Sequence, residues 1–554
     1  MKESREKTLK NFIEKIPFVK KINSSVQEDL FTHLNVTIDF DGLIEPLTFD
    51  VQIFSQYPFR VKECETIRFI NMELITYNHV MKDGAICIHT SHNTDIEEKI
   101  KQDFNSLRNW IIKYIIFKET DNNYEHLIVE YSLIDDKYNS YFFTDLDYTF
   151  QKGEFGIVHI MKLYDGIYKS SVNNNYLVQK FSIDDKHFEC NWSNAYKSYS
   201  STFIGHFYFM ENPPAKNKRF AFENWIELAP YISSSFLDHI YKFQKENIKE
   251  SEGAVFPIFL GYNITENQIH WEVALLKIGE IPIHGSPILK NGVKTGKWES
   301  TLESHNIIWA ITRNCSYNYF FGRGTLCETL INKNILIIGI GAIGSMIAKV
   351  LVKGGCRQIT IFDYDVKEPE NVCRSEYGFI NGIINKVDDL QKILISDSPF
   401  VDVRILNLEF PKDLSIKKEE YNEFIKVLNT YDLVFDCTTD DDLMYLLESL
   451  TIKADIINLS ITNHANEMVC AFSPNIYHFV RTQFGKILKN DLTDLYKPTG
   501  CWSPTFKASY NDINLLVQMT IKHLNKVYDS GLKKSNFVIK SDDETFNNLI
   551  IEEF

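Results

Sequence analysis

Between a run of strand-forming residues and a run of helix-forming ones stands the segment Ile335-Leu-Ile-Ile-Gly-Ile-Gly-Ala-Ile-Gly-Ser345, in which Gly339, Gly341 and Gly344 have the spacing G-x-G-x-x-G. The first glycine permits a tight turn. The second lets backbone N–H groups approach a phosphate, and the third lets the following helix pack closely with its positive N-terminal end aimed at the anion. A nucleotide is the default ligand of such a turn. Ile335 to Val352 is largely apolar over 18 residues, which raises the question of a membrane helix. The three glycines, Lys349 and the acidic run downstream argue against that, and Gly354-Gly355 reads as a helix stop.

The next strand, Gln358-Ile-Thr-Ile-Phe-Asp363, ends in a carboxylate 19 residues past Gly344 (363 − 344), close to the spacing of about 20 expected for a ribose-binding acid. Dinucleotide dehydrogenases share both features. The continuation separates the two possibilities: Asp363-Tyr-Asp365-Val-Lys-Glu-Pro-Glu-Asn371-Val-Cys-Arg374, then Gly382 and Lys386. Hydride transfer needs a nicotinamide pocket, whereas this run delivers carboxylates and cations just past the strand end, where a nucleotide's phosphates lie. That is equipment for attack on a phosphate.

In order and spacing these residues resemble the ubiquitin-activating, ThiF and MoeB superfamily: a glycine turn, D-x-D, N-x-x-R and a lysine on the next helix. The resemblance implies a Rossmann-like α/β adenylation domain in which a protein's C-terminal carboxylate attacks the α-phosphate of ATP, forming an acyl-adenylate and releasing pyrophosphate. Charge growing on the phosphates calls for fixed cations and Mg2+. Carried over by position, Gly339, Gly341 and Gly344 face the phosphates and Asp363 holds the ribose. Arg374 and Lys386 contact phosphates, Arg374 as a catalytic residue, while Asp365 and Asn371 shape the site. The magnesium aspartate should follow Tyr431-Asp-Leu-Val-Phe-Asp436-Cys-Thr-Thr-Asp440. Thr439 stands where the family has aspartate, so Asp440 is favoured, with Asp436 as the alternative.

At 554 residues the chain should divide into about three to four units. Its net charge of −15 gives no support for nucleic-acid binding. Met-Lys-Glu-Ser-Arg-Glu-Lys lacks the apolar stretch of a secretory signal, so a cytoplasmic protein without membrane association is expected. The ten cysteines contain no C-x-x-C, which suggests neither a zinc knuckle nor a disulfide framework. Some ThiF and MoeB relatives carry two C-x-x-C pairs, and their absence weakens a pure sulfur-carrier reading.

Two cysteines stand apart. Cys501 lies in Lys497-Pro-Thr-Gly-Cys501-Trp-Ser-Pro-Thr-Phe, an irregular stretch suited to an exposed loop. A thiolate attacking an acyl-adenylate yields a thioester, and the superfamily often keeps its catalytic cysteine here; otherwise Cys501 is a loop residue tucked under Trp502. The second is Cys87. An opening helix and two alternating strands, His33–Gly42 and Leu47–Phe54, are followed by Gln56-Tyr-Pro-Phe-Arg60, by Tyr77-Asn-His-Val-Met-Lys-Asp-Gly-Ala-Ile-Cys87-Ile, and by apolar residues at helical spacing from Ile96 to Ile115. This resembles the ubiquitin-conjugating fold, which implies a second thioester carrier at Cys87; otherwise it is a packed strand cysteine. That family places a His-Pro-Asn triplet ahead of the cysteine; here Asn78-His79 stands in its place without proline. His89 and His92 read as surface histidines rather than metal ligands.

The region between is rich in aromatic and β-branched residues, with expected strands at His126–Leu133 and Ile269–Leu276 and an exposed turn at Glu211–Lys218. The expected organisation is therefore a ubiquitin-conjugating-like α+β domain (1–118), an α+β linker or scaffold (119–325) and a ThiF-type adenylation domain (326–554). The whole resembles the fused activating and conjugating enzyme of the CBASS anti-phage systems. That resemblance implies adenylation of the C-terminus of a cGAS-like nucleotidyltransferase, capture on Cys501, transfer to Cys87 and joining to a target amine. It also implies a homodimer through the adenylation domain. The C-terminus Leu549-Ile-Ile-Glu-Glu-Phe554 lacks a terminal glycine, so the modifier is expected to be another polypeptide. Three alternatives stay open: an activating enzyme for a sulfur-carrier or ubiquitin-like protein with an N-terminal docking module, a nucleotide-binding adaptor, and a nicotinamide-dependent oxidoreductase.

Overall fold

The computed structural model describes residues 5–28, 30–119, 127–163, 173–201, 203–217, 219–251, 253–265, 268–285, 296, 298–407, 418–487, 507–541 and 548–554. Helix α1 (Arg5–Glu14) leads into an antiparallel meander of β1 (Val19–Gln27), β2 (Phe31–Ile38), β3 (Leu47–Phe54) and β4 (Ile67–Ile70), covered by α2 (Ile96–Ile111). Strict alternation puts Leu34, Val36 and Ile38 of β2 and Phe49, Val51 and Ile53 of β3 on one face, against Ile100, Phe104, Leu107 and Ile111 of α2. The strand expected from His33 to Gly42 starts at Phe31 and stops at Ile38, because a turn at Asp41-Gly42, with Gly42 at φ +104°, interrupts it.

A buried ionic cluster sits beneath this sheet. Lys99 of α2 is 1% exposed, and its Nζ lies 2.8 Å from Glu65 and 2.7 Å from Asp103. Tyr57 donates to Asp103 at 2.8 Å and Thr90 donates to the same carboxylate at 2.6 Å. The cluster therefore ties together the Tyr-Pro-Phe turn, the segment after Cys87 and helix α2.

The middle of the chain contains β5 (Tyr138–Phe143), β6 (Phe155–Lys162), β7 (Asn173–Ile183), β8 (Lys186–Glu189), β9 (Phe203–Phe209), β10 (Ala215–Lys216) and β11 (Phe220–Ala221). It continues with β12 (Val255–Thr265), β13 (Gln268–Lys277) and β14 (Ile308–Asn314), and its helices are α3 (Asn194–Ser198), α4 (Trp225–Leu228) and α5 (Ser234–Ser251). The large sheet runs β5-β14-β13-β12-β9-β6-β7-β8, and β5 also pairs with β7, so the sheet closes on itself. Aromatic rings fill the closure: Trp271 stacks on Phe181 at 4.6 Å, and Phe150 meets both edge-on. A second apolar layer, including Trp225, Phe236 and Ile240, packs outside it. Two local expectations fail here. Residues 128–134 make only isolated bridges, to Phe220, Trp309 and Lys137 in turn, because they meet different segments rather than one partner strand. The Pro213-Pro214 turn is half-covered, with Pro214 buried and the β10–β11 ladder following it.

The last part is a doubly wound α/β layer. After α6 (Tyr317–Phe320) and α7 (Glu328–Ile331) come β15 (Asn334–Ile338), α8 (Ala342–Lys353), β16 (Gln358–Phe362), α9 (Pro369–Val372), α10 (Lys386–Asp397), β17 (Asp402–Ile405) and α11 (Lys418–Leu428). Then follow β18 (Leu433–Asp436), α12 (Asp441–Ser449), β19 (Asp455–Ile461), β20 (Glu467–Phe472), α13 (Tyr477–Ile487), α14 (Tyr510–Ser530), β21 (Phe537–Ser541) and β22 (Leu549–Glu553). The order β17-β16-β15-β18-β19-β20-β21-β22 is parallel through β19 and antiparallel beyond it. Strand β15 is apolar on both faces: Ile335 and Ile337 join the core with α8, α10 and α14, while Leu336 and Ile338 join that with α11, α12 and α13. Because β16 and β18 lie on opposite sides of β15, a crevice forms at the carboxyl ends of these strands. No described helix is long and apolar enough to cross a membrane.

Replacing Lys99 by methionine removes the cation shared by Glu65 and Asp103. The expected loss is about 3–5 kcal/mol, read as reduced hydrogen-exchange protection of α2; unchanged protection would show that the cluster does not hold the helix.

Candidate functional site

The glycine turn behaves as its spacing requires. Gly339 adopts φ +77°, and a Cβ there would sit 2.8–3.0 Å from Thr438. At Gly344 a Cβ would come within 2.0 Å of the Gly339 carbonyl oxygen, whereas at Gly341 it would meet nothing within 4 Å. Gly339 thus admits the loop after β18, and Gly344 lets α8 pack closely on the turn. Gly341 leaves open space in front of the α8 N-terminus, where an anion is favoured.

Asp363 stands at the end of β16, beside this turn. Its carboxylate accepts the Ile340 N–H at 2.9 Å and the Asp365 N–H at 2.8 Å. Burial pushes the Asp363 carboxyl above the usual carboxylate range, opposed by the nearby Lys386 charge and the backbone donors. Lys386, the first residue of α10, places its Nζ 2.8 Å from Asp365 and 3.9 Å from Asp363. The structure therefore brings together Asp363, Asp365 and Lys386 at the glycine turn. The lysine is thereby fixed in a nearly buried position between the two acids.

Asn371 has a local duty: its side chain accepts the Glu368 N–H at 2.9 Å and closes a capping box on α9. Half-buried Arg374 follows, its N–H on the Asn371 carbonyl at 3.4 Å. The two aspartates considered for magnesium differ sharply. Asp436 is fully buried and accepts from Thr438 Oγ1 at 2.7 Å and Asn458 Nδ2 at 2.8 Å, and burial raises its carboxyl. It is built into the sheet. Asp440 is exposed, with one oxygen capping α12 through the Asp442 and Leu443 N–H groups at 2.9 and 3.1 Å. Among the described residues no group of three or more His, Cys, Asp or Glu could hold a metal. A lone accessible carboxylate still fits Mg2+, which takes most of its ligands from phosphate oxygens and water.

Residues outside the motif brace the loop from Asp363 to Lys386. Lys367, 2% exposed, bridges the Gly378 carbonyl and Asp389, each at 2.7 Å, and Asn381 donates to the other Asp389 oxygen at 2.6 Å. Tyr377 donates to the Ile340 carbonyl at 2.5 Å. Burial, with Asp363, Asp389 and Asp365 nearby, raises its pKa and keeps the donated proton in place. Glu376 receives Lys349 at 2.6 Å and Tyr510 at 2.5 Å. No local pattern announces these partners, because each lies on a different element.

Cys501 lies outside the described residues, within 488–506, between α13 and α14. Cys87 is half-buried, its N–H donates to the His79 carbonyl at 2.7 Å, and its Sγ is 3.6 Å from His89 Nε2. His79 has φ +61° and rests its ring against Tyr114, with centroids 5.3 Å apart. His92 packs by Phe59 at 5.9 Å. The proximity of His89 to the thiol was visible in the sequence only as a two-residue separation, which is equally common on any surface strand.

Residues 313–480 match the ThiF family. The ATP-dependent ubiquitin transferase-like protein Cap2 of Enterobacter hormaechei subsp. hoffmannii (strain UCI 50) is 27% identical over 243 residues, covering 42% of this chain and 39% of that protein. The Cap2 of Pseudomonas aeruginosa (strain BWHPSA011 / Pa011) is 28% identical over 124 residues, 22% of this chain and 20% of that one. The chain thus matches well under half the length of these relatives. Among solved structures, E. coli MccB with AMPCPP and MccA is 17% identical, with a TM-score of 0.30, over 41% of this chain and 64% of that one.

Gly344→Ala is expected to cost about 1–3 kcal/mol through the forced shift of the turn, visible as a lower melting temperature. Gly341→Ala should leave the melting temperature unchanged and weaken binding of an anionic probe such as inorganic phosphate or a nucleotide, read by calorimetry. Equal behaviour of the two variants would contradict the division of labour among the glycines.

Proposed function

We propose that this chain is an ATP-dependent activating and conjugating enzyme, organised as a ubiquitin-conjugating-like unit over 1–118, a scaffold over 119–325 and an adenylation unit over 326–554. The observation that carries this is the crevice at the ends of β15, β16 and β18. There an open glycine turn meets the Asp363–Asp365–Lys386 cluster, on a chain that matches ThiF and resembles Cap2. A modifier's C-terminal carboxylate oxygen attacks the α-phosphorus of ATP, the bond to the β-phosphate bridge breaks and pyrophosphate leaves. Asp363 holds the ribose, the glycine turn and Lys386 hold phosphates, Asp365 and Asn371 shape the surrounding loop, and Arg374 stabilises the charge that develops in the transition state. Asp440 would hold Mg2+, which when bound neutralises phosphate charge.

The Cys501 thiolate then attacks the acyl carbon and AMP departs with the phosphate oxygen, leaving a thioester. Exchange onto the Cys87 sulfur regenerates the Cys501 thiolate, and a target amine attacks the Cys87 thioester, loses a proton and forms an amide. We assign the modifier as a cGAS-like nucleotidyltransferase, the acceptor as a protein amine, and the role as anti-phage defence in the cytoplasm by a homodimer joined through the adenylation unit. A second reading has its own support: with His79 packed on Tyr114 where the conjugating family keeps an asparagine, the N-terminal unit would only dock the substrate, and Cys87 would be dispensable.

With ATP, magnesium and the products of adjacent genes, Arg374→Ala should lower pyrophosphate release by about 100-fold or more. Cys501→Ala should abolish a reductant-sensitive adduct seen on non-reducing gels, and Cys87→Ala should stall it before the final amide. Undiminished amide formation by Cys87→Ala would favour the docking reading.

A further inference from the structure

The loop that precedes Cys87 is not held by its own unit alone. Arg219, just before β11 in the middle of the chain, is 6% exposed, and its Nη1 donates to the backbone carbonyls of Ile75 at 3.4 Å, Tyr77, and Val80 at 2.7 Å. From the other side, Trp110 Nε1 of α2 donates to the Asn78 carbonyl at 2.9 Å. Between these anchors sits His79, a non-glycine residue at φ +61°, a conformation that persists only where its surroundings over-determine it. The carbonyl of this same residue receives the Cys87 N–H at 2.7 Å.

We propose that Arg219 is a positioning residue for Cys87: a buried guanidinium from the middle unit that clamps the 75–80 loop by its carbonyls, fixes His79 in its left-handed conformation and so sets the Cys87 backbone and thiol. The inference rests on the reading of Cys87 as the acceptor of the acyl group. It makes the middle unit part of the acceptor site, beyond its role as a spacer. All three carbonyls converge on one nitrogen, Nη1, and a charged donor makes stronger hydrogen bonds than a neutral one. A second tie joins the same surfaces, Lys82 to Glu223 at 2.6 Å and to Glu130 at 3.1 Å. Those side chains are exposed and screened, so they contribute little; the buried clamp dominates.

The experiment uses the full chain. Alkylation of Cys87 by iodoacetamide is followed by peptide mass spectrometry across a pH series in wild type, Arg219→Ala, Arg219→Lys and Lys82→Ala. Exposed Cys373 serves as the reactive reference and buried Cys190 as the indicator of unfolding. Arg219→Ala should change the Cys87 rate by roughly tenfold, the factor of one charge-assisted hydrogen bond, and move its pH midpoint, with Cys373 unaltered and Cys190 protected. Lys82→Ala should match wild type. If the alanine variant exposes Cys190, Arg219→Lys decides: it keeps the charge but, being shorter and lacking the guanidinium, does not place a nitrogen where Nη1 meets the three carbonyls, and should still alter the Cys87 rate. A Cys87 rate and pH midpoint equal to wild type in a folded Arg219 variant overturn the proposal. In the conjugation assay, Arg219→Ala should release pyrophosphate normally yet stall at the thioester stage. Failure of the acceptor reading itself shows separately, as full conjugation by Cys87→Ala, and leaves the alkylation result to judge the clamp.

Discussion

The close approach of helix α8 to strand β15 is the constraint from which the C-terminal α/β unit follows. With a Cβ at Gly344 reaching 2.0 Å from the Gly339 carbonyl, the helix can lie where it does only because that position is glycine. This contact aims the α8 N-terminus at the crevice. It also brings Ile340 within reach of two groups from the next stretch of chain: its N–H bonds Asp363 and its carbonyl bonds Tyr377. The glycine turn and the segment after β16 are thus registered to each other through one residue's backbone.

Buried charge then decides how firmly the loops are held. Lys367 with Asp389 braces the loop that carries Asn371 and Arg374, and Lys99 with Glu65 and Asp103 braces the segment following Cys87. Such pairs are poor sources of net stability, because desolvation offsets most of their attraction. They are nevertheless demanding, since removing one partner strands the other in an apolar interior. Irregular loops gain a single geometry by this means.

The middle unit contributes to function through its edges. Its closed sheet is filled with stacked aromatic rings and has its own core, so it can present side chains from a rigid base. Arg219 reaches the Cys87 loop from one side of it. On another, Asn194 and Ser193 bond Asp402 and Pro399 of the C-terminal α/β unit at 2.8 Å. The middle unit thus bonds both of its neighbours.

Much of this was legible in the sequence because it depends on local rules. A glycine turn needs its glycines, the alternation in β2 and β3 fixes which face is buried, and the carboxylate at the end of β16 follows from strand length and motif spacing. How differently Asp440 and Asp436 are placed was not legible: both sit near one strand end, and only the structure shows Asp436 buried and bonded to Thr438 and Asn458. The same holds for the expected strand at His126–Leu133, whose β-branched residues found no single partner strand. Lys367, Tyr377 and Arg219 act on backbone carbonyls or on side chains far along the chain, and a carbonyl has no residue identity to leave a motif. By itself the sequence determined the glycine turn, the buried faces of β2 and β3 and the cluster of charged residues that follows β16. Tertiary structure alone decided which charges are buried and which loops they hold, because burial and long-range hydrogen bonding exist only once the layers have met.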